Sequence, residues 1–121
     1  YMAHIGEALY VSDPAKARPY FVKALDMAGA QLRIDPGDSV TLSDMASYRA
    51  ALGDAENARK LIEEADAAAS EDISVVYNLA VTHARLRDGE AASAALDRLM
   101  ALGYTRALLD LDANFDGLYS R

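Results

Sequence analysis

The chain has 121 residues, no cysteine and a formal net charge of −7. That length suits one domain with a core large enough to need no staples, and the missing thiols exclude a disulfide framework, a thiolate zinc site and a cysteine nucleophile. The acidic balance, with no offsetting Lys/Arg stripe, argues against a nucleic-acid partner, and no apolar run approaches the roughly 20 residues that would let this segment insert in a membrane.

Alanine is abundant and proline is limited to Pro14, Pro19 and Pro36, which favours helix. The opening YMAHIGEALY lacks the basic start and long apolar stretch of a signal peptide. Its register is that of a helix already under way, so the expectation is a piece of a longer protein. Ser12-Asp13 then suits a helix cap and Pro14 the first helical position, where a missing N–H costs nothing. A long helix is expected from Pro14 to Ile34, loosened or bent near Pro19 and stopped by Asp35-Pro36-Gly37. Two shorter helices follow. Leu42, Met45, Ala46 and Leu52 form one stripe, Ala58, Leu61, Ile62 and Ala65 another. Between them Leu52-Gly53-Asp54 combines a helix stop with an acid suited to cap the next helix.

A shift of 34 residues repeats this hairpin. Asp38 falls on Asp72, Ala46 on Ala80, Ala50 on Ala84, Asp54 on Asp88 and Ala58 on Ala92. Ile62 pairs with Leu96 and Ala65 with Leu99, while the turn becomes Leu86-Arg87-Asp88-Gly89, its glycine moved two places on. An upstream unit aligns at an offset of 41, with Asp13 on Asp54, Ala17 on Ala58, Phe21 on Ile62 and Ala24 on Ala65. The extra seven residues are close to two helical turns, which keeps the face in phase. A fixed period of this length marks stacked units that cannot bury their apolar faces alone.

This pattern resembles the tetratricopeptide repeat over about residues 1–104: a small residue in each helix, Leu-Gly-Asp at the turn, then alanine, a bulky residue four later and a further small or apolar residue. The sequence departs from it where the early aromatic is Leu42 or Val76 and the closing proline is Ser70 or Tyr104. The resemblance implies an all-α, right-handed solenoid in one domain spanning 1–121, with repeats at about 1–36, 39–72 and 73–104. A short capping helix, Arg106 to Leu111, and an irregular tail would close it. The tail is similar to endings after terminal repeats in some bacterial proteins.

Candidate chemistry is sparse. Asp112-Ala113-Asn114-Phe115-Asp116-Gly117 matches the opening of a calcium loop, offering Asp112, Asn114 and Asp116 as oxygen ligands. The glutamate that closes such a loop would fall past Arg121. The alternative is a solvated turn whose Phe115 and Leu118 plug the end of the stack. Of the two histidines, His4 and His83, the second reads as packing between repeats or at a groove edge. Ser43, Ser47 and Ser74 lack a nucleophile-elbow context, and no phosphate-cradling glycine loop exists. No enzyme activity, cofactor or metal is therefore expected.

The resemblance also places the first helix of each pair on an inner groove. That face receives Ser43, Asp44 and Ser47, then Tyr77, Asn78, Val81 and Arg85, with Leu9 and Tyr10 upstream. The expected function is a protein-interaction module holding a peptide or partner domain there. The alternative is a C-terminal repeat segment of a larger enzyme or sensor, contacting its own upstream domain. A clamp for a peptide's terminal carboxylate is not expected, since Ser43 and Ser74 stand where such clamps carry lysine and Asp44 would repel the ligand.

Overall fold

The computed structural model describes residues 6, 7, 10 and 12–115. Among these residues the chain is all-helical, with no strand. Gly6, Glu7, Tyr10 and Ser12 are helical. Beyond them run α1 (Pro14–Ile34), α2 (Ser39–Ala51), α3 (Ala55–Ala68), α4 (Ile73–Arg85), α5 (Gly89–Ala101) and the short α6 (Arg106–Asp110), followed by a 3-10 turn, Ala113–Phe115.

The boundaries follow local chemistry. Asp13, Asp38, Asp54, Asp72 and Asp88 each sit at an N-cap, and each carboxylate accepts from a backbone N–H of the first helical turn. The ends of α2, α4 and α5 share one closing pattern. After α2, the Gly53 N–H donates to the Ala50 carbonyl and the Asp54 N–H to that of Arg49. The same pair of bonds recurs at Arg87 and Asp88, and again at Gly103 and Tyr104. This closure needs a positive φ, which Gly53 (85°) and Gly103 (106°) adopt freely. Arg87 stands 34 residues after Gly53 and is forced to φ 62° despite its side chain. The glycine displaced to position 89 leaves the strain behind.

The long helix ends at Ile34 as its sequence demands, and α1 runs on through Pro19. Pro19 is exposed there, so the carbonyl it deprives of a partner can turn to water.

Packing joins α2 to α3 and α4 to α5 as hairpins, sets α2 beside α4, and lays α1 against α2. Ala58 and Ala92 are fully buried, as are Ala17, Ala46, Ala65 and Ala80, which is what close helix approach requires. Ile62, Val76, Leu96, Leu99, Leu109 and Phe115 belong to the main core, whereas Leu42, Ala65 and Val75 form a smaller cluster against which Leu32 of α1 rests. Phe115, expected with Leu118 to cover the end of the helices, is buried in the main core; Leu118 lies outside the described residues. No described helix is long and apolar enough to cross a membrane.

Candidate functional site

The expected groove face exists as a place where α2 and α4 meet, but half of its residues are interior. Ser43 is 0% exposed, Ser47 3% and Val81 1%. The two serine hydroxyls donate to carbonyls one turn back, Ser43 to Val40 at 2.7 Å and Ser47 to Asp44 at 2.7 Å. They are small residues that let α2 and α4 approach, and no partner reaches them in this arrangement. The expectation that Ser43, Ser47 and Val81 line an accessible groove is therefore corrected: all three are buried.

Arg85 requires the larger correction. Its side chain is only 2% exposed. One terminal nitrogen donates to the Ser47 carbonyl at 3.0 Å; the other reaches the Glu7 carboxylate at 2.6 Å and Asn114 Oδ1 at 3.3 Å. The guanidinium lies 4.6 Å from the Tyr10 ring centroid and 5.2 Å from that of Phe21. A fork of donors with a flat face suits this position, since it ties four segments together at once. Arg85 is a structural staple that fills its end of the face. Leu9, expected nearby, lies outside the described residues.

At the other end the face is open. Val40 and Asp44 of α2, Ile73, Ser74, Tyr77 and Asn78 of α4, and Tyr104 line a cleft of about 310 Å³. Asp44, Tyr77 and Asn78 are expected on the groove from the sequence, and Ser74 stands where a carboxylate clamp would carry lysine; Val40, Ile73 and Tyr104 carry no such expectation. The one signal in the sequence is an apolar residue, Ile73, directly after the Asp72 cap; in the structure it is 45% exposed. The Asn78 amide donates to Ser43 Oγ at 2.9 Å and to Asp44 Oδ1 at 2.8 Å. The Tyr77 hydroxyl donates to Asp112, and its ring meets Tyr104 at 6.0 Å and Phe115 at 5.8 Å.

Electrostatics at the cleft favour neutral forms. Burial pushes the Asp44 carboxyl above its usual range, with Asp38 and Glu7 adding to the effect and the Asn78 hydrogen bond opposing it. Burial, the bond to Asp112 and its negative charge raise the Tyr77 hydroxyl well beyond the ordinary phenol range. Tyr48, deeper along α2, is pushed up to about 12, first by burial and then by Asp44 and Glu7.

The calcium-loop residues are engaged within the protein. Asp112 accepts from the Asn114 N–H at 2.9 Å and its side-chain amide at 3.0 Å, besides the Tyr77 hydroxyl. Asp116 lies outside the described residues. Among the described residues no group of three or more His, Cys, Asp or Glu side chains is arranged to hold a metal ion. His83 is half-buried, its Nδ1 has no hydrogen-bond partner, and burial lowers its pKa.

No family model, curated protein or solved structure matches the chain.

Proposed function

We propose that this chain is a tetratricopeptide-like solenoid segment whose inner face binds a peptide or a partner domain. The observation that carries the reading is the open cleft between α2 and α4, where Asp44, Tyr77 and Asn78 converge with the exposed apolar side chain of Ile73. Apolar walls with a few convergent polar groups are the usual make-up of a binding cleft. The 34-residue period supports the solenoid, since the caps Asp38 and Asp72, then Asp54 and Asp88, recur at that spacing. So do the buried pairs Ala46/Ala80 and Ala58/Ala92.

Binding fits the cleft better than catalysis. Among the described residues its lining holds no His, Lys or Cys, and Asp44 is the one carboxylate there, so no nucleophile stands beside a general base. The cleft is also open, which gives water access that electrostatic catalysis must exclude.

Tyr77 and Arg85 are poor probes of this function, because each anchors the C-terminal turn through Asp112 or Asn114. Ile73→Ala trims an exposed wall and leaves the fold intact. Immobilised chain is expected to retain a discrete subset of a random heptapeptide pool, and Ile73→Ala to retain less of it with an unchanged melting temperature. Failure of the wild-type chain to retain any peptide or fragment of its parent proteome, or identical retention by the variant, refutes the assignment.

A further inference from the structure

The cleft's hydrogen-bonding capacity selects the chemistry of its occupant. Asp44 in its ionised form only accepts, so the Asn78 NH2 must face it, and both amide hydrogens are then spent on Asp44 and Ser43. The Tyr77 hydrogen is spent on Asp112. What the lining still offers is acceptor capacity: the second Asp44 oxygen and the Asn78 carbonyl, with the Ser74 and Tyr104 hydroxyls able to act either way. No cationic side chain among the described residues lines the cleft. Among the described residues no ion pair reaches Asp44 either, the five that form lying elsewhere. An anionic ligand would meet a carboxylate and two flexible hydroxyls. A cation would meet a carboxylate, an amide carbonyl and two hydroxyl oxygens able to accept.

Resting on the peptide-binding reading above, we propose that this cleft receives a lysine or arginine side chain of the bound peptide, its charged head on Asp44 and Asn78 and its methylene stem along Val40 and Ile73. The division of the walls matches that side chain, which combines an apolar stem with a cationic tip. The volume of about 310 Å³ is small for a folded element and ample for one long side chain. The Asp44 carboxyl, raised by burial without a compensating cation, is the group such a ligand would stabilise. The chain's net charge of −7 favours approach of a basic segment.

The test is position-resolved sequencing of random heptapeptides retained by three forms of the chain: wild type, Asp44→Asn and Glu64→Gln. Asp44→Asn keeps a side-chain oxygen for the Asn78 amide while removing the charge. Glu64→Gln removes the same charge from an exposed position on α3, outside the cleft lining. Wild type and Glu64→Gln are expected to enrich Lys or Arg at one position, and Asp44→Asn to lose about tenfold of that enrichment, the scale of one charge-assisted hydrogen bond. Peptides retained without a Lys/Arg preference overturn this inference and leave peptide binding standing. Equal loss in Asp44→Asn and Glu64→Gln also overturns it, as attraction to the overall charge. If no peptide is retained yet n-butylammonium shifts the Asp44 and Tyr104 amide resonances, the occupant is a free amine, and the assignment to a peptide side chain fails together with the peptide reading.

Discussion

Replacing Arg85 with alanine should loosen the packing of α4 on α2 and on the segments around Glu7 and Asn114. The substitution strands the Glu7 carboxylate, removes the donors that hold the Ser47 carbonyl and Asn114, and empties the space against Tyr10 and Phe21. Breaking a fully buried ion pair costs about 3–5 kcal/mol. Here the Glu7 side chain keeps 32% exposure, so water can solvate the stranded charge and the electrostatic part falls to about 2 kcal/mol. Loss of the ring contacts adds about 1 kcal/mol. The buried Arg85 Nε has no partner, and its removal returns part of that sum. A net loss of about 2–3 kcal/mol lowers the melting temperature of a domain this size by roughly 10 °C. Circular dichroism melts measure it, and a cycle with Glu7→Ala should show coupling of about 1 kcal/mol or more. A melting temperature for Arg85→Ala within about 2 °C of wild type would refute the staple and return Arg85 to the surface.

Three further substitutions probe other parts of the molecule by the same melts. Ala58 is fully buried where α3 packs on α2 whereas Ala67 is exposed, so Ala58→Leu should cost about 1–3 kcal/mol by overpacking and Ala67→Leu less than about 0.5 kcal/mol; equal effects would mean the 34-residue register is wrong. Arg87→Gly should stabilise by about 0.5–1 kcal/mol, because φ 62° is strained for arginine and free for glycine, less the entropy that glycine gains unfolded; a destabilised variant would show that the Arg87 side chain carries a contact of its own. Asp44→Asn should match or exceed wild-type stability at neutral pH. Since the folded-state pKa of Asp44 is raised, the folded chain binds the extra proton, its carboxylate penalty fades as pH falls through that pKa, and the advantage of the variant should shrink on acidification. An advantage that grows on acidification would contradict the burial of an uncompensated carboxylate.

Local chemistry carried most of the secondary structure. Pro14 and Asp35-Pro36-Gly37 bound α1, Leu52-Gly53-Asp54 closes α2 and opens α3, and the buried alanines Ala17, Ala58 and Ala92 occupy equivalent places in successive units. These features depend on neighbours within a turn or two, so a linear reading captures them. That α2 and α4 contribute to one face came from the resemblance to a helical repeat, since spacing along one helix says only which of its own side chains share a side. Neither could say how deep that face lies. Ser43 and Ser47 are small enough to bring α2 and α4 together and are buried by the approach they permit. Arg85 is occupied by Glu7, which lies 78 residues away in sequence, and by Asn114 from the other end of the chain. Tyr104 completes the cleft from the segment after α5. Which polar residues are spent internally and which remain for a ligand is settled by contacts between distant segments, and periodicity along a helix holds no record of them.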